Sequence, residues 1–466
     1  MHAYTRQRIV AFLESWLAYR FRQTTLPGLS IAVSYKQDIV FAAQHGLANI
    51  ETPKTLDNNA LFGVASQSKM MTAVALLQLC EKGSLALDVP VRKYIPWLTK
   101  HPHKAVQEIT TRQLLTHSAG FTRDLPEAAF WILQQPFPNR ANLRRALLHT
   151  PIVAEPNTQL KYSNAAYALL GDVIEAVSDQ SYTDYITKHI IKALGLTHTL
   201  ADYGDDMAVH VSAGYSIPYG GQRSPLGPRQ ATRAFASAAG VHSTCVDMCR
   251  FVTALCDKSN TLLSTASKKE MMRTQWMQTD GYDAGMEFGL GIEVISVGGR
   301  RIVGHSGHIA GHVTATYIDP QSDIAVAVMA NSRDAPSSHI ALGILAAIDF
   351  FSQHALQPAP AATERLSARL LSPIAAVEIV ATKNLIVAID PDDWQPFAFQ
   401  EELVQLDAST LRIVTPGSVF NQSETVQYKF SGNAPASVSY AGNTLWLEQI
   451  YEKQQTHKKT GSLAAG

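Results

Sequence analysis

Two polar residues at the start of an apolar helix carry the first chemical signal. Ser66-Gln67-Ser68-Lys69 follows the apolar run Leu61 to Ala65, and the spacing of Met71, Val74, Leu77 and Leu79 predicts a helix opening near Ser66. Residues three apart share a helical face, so the amine can approach the hydroxyl. A free serine is a weak nucleophile and needs a base in contact. A lysine ammonium is no base until burial or neighbouring positive charge lowers its pKa, and a three-unit shift corresponds to about 4 kcal/mol of environmental bias. Backbone N–H groups at a helix N-terminus would favour an oxyanion at the same place. Alone the motif is short enough to arise by chance, and a helix-capping serine beside a surface lysine explains it equally simply.

Two further strings bear on the same chemistry. Lys161-Tyr162-Ser163-Asn164 precedes a helix marked by Tyr167, Leu170 and Ile174. A tyrosine followed two residues later by asparagine can bring a phenol to relay protons and an amide to bind a carbonyl and hold an amine. The plain alternative is a half-buried tyrosine and a helix-capping asparagine. Gly304-His305-Ser306-Gly307-His308-Ile309-Ala310-Gly311-His312 lies between two strand signals, where glycines let a backbone approach a substrate closely. His305, His308 and His312 invite a zinc reading. Their spacing differs from the helical His-Glu-x-x-His arrangement, and no acidic partner is near in sequence, so the expectation is no metal and no other cofactor. Gly304-x-Ser306-Gly307 imitates a nucleophile elbow but lacks its last glycine and its following helix.

Composition narrows the partners. Of 466 residues, 46% are apolar and 17% charged, which allows a sizeable core and excludes global disorder. Lys plus Arg equals Asp plus Glu at 39 each, arguing against nucleic acid as a partner. Cys80, Cys245, Cys249 and Cys256 show no paired ligand spacing and read as buried small residues, which suits a reducing compartment. Glu14 interrupts the apolar stretch Ile9 to Leu13, and Ile9, Leu13, Trp16 and Leu17 mark an amphipathic helix in place of a signal peptide. The longest other apolar run, Ile340 to Ile348, falls short of the ~20 residues of a membrane span. The expectation is a soluble cytoplasmic chain with no membrane partner.

The elements that must position these residues follow from the patterning. Strands are predicted at Leu29 to Tyr35 and Ile39 to Ala43, joined by a Lys36-Gln37-Asp38 turn. They recur at Gly291 to Val297, Arg301 to Val303, Val313 to Ile318 and Ile324 to Met329, before a helix over Ile340 to Phe351. Helical patterns broken by loops, the longest from Tyr203 to Arg229, fill the interval. The fold class is therefore α/β (α+β): an antiparallel sheet flanked by the first and last helices, with an all-helical region inserted. Residues 1–355 form the first domain and 356–362 a Pro-Ala linker. Short strands (Ala375 to Ala381, Leu385 to Ile389, Leu411 to Val414, Thr425 to Phe430, Thr444 to Tyr451) give a small all-β domain over 363–452, a barrel or sandwich. Residues 453–466 form a flexible polar tail.

Ser66-x-x-Lys69, Tyr162-x-Asn164 and His305-x-Gly307, in that order, resemble the three motifs of the class C β-lactamase-like serine hydrolases, the group of penicillin-binding peptidases, D-aminopeptidases and esterases. The likeness extends to Thr111-Arg-Gln-Leu-Leu-Thr-His-Ser-Ala-Gly-Phe121, to Tyr162 through Gly171 and to Ala239 through Thr244, and covers roughly residues 25 to 350. It implies a Ser66 acyl-enzyme with Lys69 as base, Tyr162 as proton shuttle, and Asn164, His305 and Gly307 binding substrate. The implied oxyanion hole is the backbone N–H groups of Ser66 and His308, each donor contributing about 3 kcal/mol in the transition state. Related enzymes often carry lysine where His305 stands; histidine is largely neutral near pH 7 and supplies no permanent cation for a substrate carboxylate. The expected substrates are small esters, amides or D-amino-acid peptides, with weak or no β-lactamase activity. The alternatives are an acyltransferase on the same scaffold and a β-lactam or peptidoglycan-fragment binder that is acylated without turnover. The C-terminal module resembles the lipocalin-like barrels appended to such peptidases.

Overall fold

Tyr35 pairs with Asp38, so β1 (Gly28–Tyr35) and β2 (Asp38–Asn49) are joined by only two residues, Lys36 and Gln37. Both have positive φ, 50° and 73°, the mirror-image turn whose twist matches that of paired strands. The predicted three-residue turn is thus one residue too long. The hairpin belongs to a computed structural model that describes residues 2–204, 210–256, 258–279, 284–415 and 421–463, with side chains to residue 456. Part of the long loop predicted from Tyr203, residues 205–209, lies outside the described residues.

Seven more strands extend the hairpin: β3 (Lys54–Thr55), β4 (Trp276–Met277), β5 (Glu287–Phe288), β6 (Glu293–Val297), β7 (Arg300–Ile309), β8 (His312–Asp319) and β9 (Ile324–Ala330). The nine-stranded antiparallel sheet has the order β3-β2-β1-β9-β8-β7-β6-β5-β4. Its first three strands and last six are separated in sequence by the helical insertion, which includes α2 (Ser68–Glu81), α3 (Asn164–Ser178) and α4 (Cys245–Cys256). β1 is buried at every residue but Tyr35, which is why it reads as a nearly continuous apolar run. Against it, the Cys245 and Cys249 thiols on α4 donate to the Ser30 and Ala32 carbonyls at 3.2 and 3.5 Å. None of the four cysteines is in a disulfide.

The chain divides into two compact units, Thr25–Ala341 and a second made of the residues up to Thr24 with those from Leu342 onward. In the second unit, α1 (Ala3–Arg22) sets Phe12 against Phe351 and Phe397 at 5.3 Å each, and Trp16 edge-on to Trp394. The helix predicted at Ile340 to Phe351 spans Ser337–His354 (α5), and the run read as a linker gives way to a one-turn helix at Ala361–Glu364. Eight strands then close a barrel in sequence order: β10 (Ala368–Leu371), β11 (Ala376–Ala381), β12 (Ile386–Ile389), β13 (Gln400–Gln405), β14 (Thr410–Ile413), β15 (Thr425–Ser431), β16 (Ala434–Tyr440) and β17 (Asn443–Leu447). Leu370, Ile379, Leu411, Val426, Tyr428 and Leu445 fill its interior. β10 is only four residues long and β13 and β16 are largely polar or small, so none stands out in sequence; pairing on both edges, completed by the β10–β17 contact, holds them as strands. The strand read through Tyr451 stops at Leu447, where Glu, Gln and Lys favour a helix, α6 (Glu448–Leu463). Among the described residues no helix is long and apolar enough to cross a membrane.

Candidate active site

Ser66 sits not in α2 but in the single 3-10 turn Ala65–Gln67 before it, where Ala65 takes φ 52°. α2 itself is buried on all sides, with Met70, Met71, Ala73, Val74 and Leu76 at 0% exposure, so Lys69 on its first turn is sealed from solvent too. Lys69 Nζ lies 2.9 Å from Asn164 Oδ1, 2.9 Å from the Ala238 carbonyl and 3.0 Å from Ser66 Oγ. Two acceptors take two N–H groups. In a neutral amine the remaining direction, toward Ser66, is the lone pair, which can accept the hydroxyl hydrogen. Burial pushes Lys69 down to about 7; Asp124 opposes this and Arg123 reinforces it. This is the shift that the sequence reading requires of a lysine base.

Tyr162 donates its hydroxyl to Ser66 Oγ at 2.9 Å, and burial raises the phenol so that it stays protonated at neutral pH. The cap of α3 is Ser163, not Asn164: its Oγ accepts from Ala166 N–H at 3.1 Å. That frees the Asn164 side chain. One Nδ2 hydrogen goes to Asp124 Oδ1 at 2.9 Å, an oxygen that Trp131 Nε1 also reaches at 2.7 Å, so the amide is oriented with its oxygen on Lys69. The His117 ring stacks on Tyr162 at 4.1 Å while its Nδ1 accepts from Ser163 N–H.

The third motif is strand, not the connecting segment expected. β7 runs through it to Ile309, and Ala310-Gly311 alone make the turn, at φ 42° and 82°. A two-residue turn makes Ile309 and His312 a hydrogen-bonded pair, so at the next position the His308 N–H points away from β8. β6 pairs with β7 only from Arg300 to Gly304, leaving that N–H facing the cleft. Strand alternation separates His305 from His308, and His312 Nδ1 accepts from Gly63 N–H at 2.8 Å. Among the described residues no group of His, Cys, Asp and Glu is placed to hold a metal ion. The elbow-like Ser306 commits its hydroxyl to Glu293 Oε1 at 2.9 Å.

Gly307 shows why this position has no side chain. A Cβ there would lie 2.1 Å from the Val64 carbonyl oxygen, on the segment that carries Ser66. Gly307→Ala is expected to push the strand from that segment, destabilising the fold by about 1–3 kcal/mol. The check is thermal unfolding alongside acylation rate, and both are expected to fall.

Ser66, Tyr162, Asn164, His305, Gly307 and His308 line one cleft of about 900 Å³, with Trp131, Leu226, Met286 and Phe288 among its apolar walls. Lys69 lies directly behind Ser66. Residues 6–348 match the family model described as Beta-lactamase. The chain belongs to the beta-lactamase family of serine hydrolases. Protein flp of Staphylococcus aureus (strain MRSA252) is 27% identical over 206 residues, which are 44% of this chain and 41% of that protein. The chain thus spans under half the length of the curated relatives it matches. The octameric penicillin-binding protein homologue from Pyrococcus abyssi superposes with TM-score 0.65 at 23% identity, over 94% of this chain and 99% of that one. A D-stereospecific amidohydrolase from Streptomyces sp. gives TM-score 0.58 at 23% identity, over 72% of this chain and 96% of that one. At these identities the likeness is one of fold.

Three residues escaped the sequence reading of this family member. Glu293 had a signal: one carboxylate inside the otherwise apolar Ile292-Glu-Val-Ile295. His117 lay within a string that marked the resemblance. Asp124 had none, because only the fold brings it to Asn164.

Proposed function

We propose that this beta-lactamase family member hydrolyses small esters, amides or short peptides, D-amino-acid amides included, through an acyl-enzyme on Ser66. The observation that carries the reading is Ser66 Oγ held between Lys69 Nζ at 3.0 Å and Tyr162 Oη at 2.9 Å, with Lys69 held near 7. Neutral Lys69 takes the Ser66 proton as Oγ bonds to the substrate carbonyl carbon. The resulting oxyanion is received by the N–H groups of Ser66 and His308. Tyr162 gives its proton to the leaving amine or alcohol as the carbonyl re-forms, and regains one by way of Lys69. Water then repeats the sequence on the ester. Asn164 and His305 orient the substrate, and Gly307 gives it close passage along β7. The buried, uncharged His305 disfavours efficient β-lactam turnover. Residues 1–355 act as the hydrolytic domain in this proposal, supported in part by the family match over 6–348, with 363–452 an appended barrel. A cytoplasmic location is in keeping with the four cysteines, none of which is in a disulfide.

The test is stopped-flow release of p-nitrophenol from a short-chain ester, with intact-mass detection of the adduct. Hydrolysis gives a stoichiometric burst and an adduct on the Ser66 peptide that decays with steady turnover. A persistent adduct without turnover would make the chain a binder. Diversion of product by added alcohol or amine, at unchanged acylation rate, would make it an acyltransferase. Absence of any adduct across esters, D-amino-acid amides and β-lactams would overturn the reading.

Tyr162→Phe separates leaving groups. Nitrophenolate departs without a proton, whereas an amine needs one. The variant is expected to lose about 10²–10⁴-fold in kcat/KM on amides and far less on nitrophenyl esters, in parallel assays on one preparation.

A further inference from the structure

The two ring nitrogens of His305 have opposite surroundings. Nδ1 lies 2.7 Å from the Ser306 carbonyl oxygen and 3.2 Å from Glu293 Oε1, both acceptors, so Nδ1 carries the hydrogen. Nε2 is buried without a hydrogen-bond partner among the described residues, on a side chain 2% exposed that lines the cleft. The rings of Tyr162 and Phe288 flank the imidazole at 6.5 Å. Glu293 does not turn away freely: its carboxylate also accepts from Ser306 N–H at 3.2 Å, Ser306 Oγ at 2.9 Å and Tyr317 Oη at 2.9 Å. The titratable groups acting on the imidazole are Glu293, which favours its charged form, and Lys69, which disfavours it, with His117 also within electrostatic reach. Burial outweighs the Glu293 charge and holds His305 below its ordinary value.

We propose that Glu293 is a positioning residue that, together with the Ser306 carbonyl, fixes His305 as the Nδ1–H tautomer, so that Nε2 faces the cleft as an acceptor for a substrate ammonium or hydroxyl. The substrate half rests on the Ser66 acyl-enzyme reading; the tautomer half does not. A lysine in this place would offer a cation to a carboxylate. This histidine, backed by a carboxylate, offers a lone pair to a donor.

The closing experiment has two readouts. The first is ¹⁵N imidazole NMR at pH 7, with His305→Gln to assign the signal. The wild type is expected to show a neutral ring protonated at Nδ1 and bare at Nε2, and Glu293→Gln a mixture of tautomers. The second is kcat/KM on two matched p-nitrophenyl esters, one bearing an ammonium and one a carboxylate at the same atom. The wild type is expected to prefer the ammonium ester, Glu293→Gln to lose that preference by about 10- to 100-fold, and His305→Lys to invert it. An Nε2–H tautomer or an imidazolium in the wild type overturns the proposal, as does preference for the carboxylate ester. A Glu293→Gln ring still held wholly as the Nδ1–H tautomer also overturns it, because the Ser306 carbonyl alone would then set the proton; if Glu293→Gln does not fold, Glu293→Asp takes its place in both readouts. The expected spectrum in a chain that forms no Ser66 adduct upholds the tautomer and removes only the hydrolase reading.

Discussion

Ser66→Ala is expected to abolish both the burst and the acyl adduct, lowering kcat/KM by at least about 10⁴-fold on every substrate the wild type turns over. The size follows from what the hydroxyl does. In the proposed mechanism it forms the covalent bond, and it is the atom on which Lys69 and Tyr162 converge at 3.0 and 2.9 Å. Without it those two groups have no proton to take or relay, so their contributions vanish together. The fold should tolerate the change: Ser66 is partly exposed at the cleft and packs no core. Circular dichroism and thermal unfolding close to wild type, beside a lost burst, complete the result. Full retained activity would remove Ser66 from the mechanism.

Lys69→Ala is expected to remove acylation itself, by about 10³–10⁴-fold in the burst rate, the scale of a lost general base acting together with lost positioning. Asn164 Oδ1 and the Ala238 carbonyl lose their donor as well. Lys69→Arg should not restore the rate, because a guanidinium stays charged. The sign of the pH dependence is fixed by the direction of the shift. Burial holds Lys69 near 7, and the neutral amine is the base, so wild-type kcat/KM should rise with pH through about 7 and level off above it. Between that value and the ordinary 10.5, the unfolded chain keeps a proton that the folded chain has released. Stability linked to Lys69 therefore rises with pH across this window, and Lys69→Met should flatten that rise in a series of unfolding midpoints. A burst of normal size and rate in Lys69→Ala would assign the base elsewhere.

The amino-acid sequence by itself determined what depends on neighbours along the chain. Ser66 and Lys69 approach because they are three residues apart, and Tyr162 and Asn164 enter one cleft because a helix begins between them. The strands β1, β8 and β9 are legible because apolar β-formers run through them. The His-x-Gly string was visible as a motif but misjudged as a connection, since glycines in a strand look like a loop until pairing with β8 shows otherwise. The tertiary structure decided what depends on residues far apart in sequence. Lys69 is brought down to about 7, as the proposed base requires, only because burial on α2 strips its water. Asp124 orients Asn164 across 40 residues, and Glu293 faces His305 only because β6 lies beside β7. The barrel strands β13 and β16 form because each pairs on both edges with its neighbours along the chain, and β10 gains its second partner only when the barrel closes on β17. Separation along the chain is fixed by covalent structure and becomes proximity with a single local helical turn, whereas dielectric environment, hydrogen-bond partners and edge pairing arise only when the whole chain has folded.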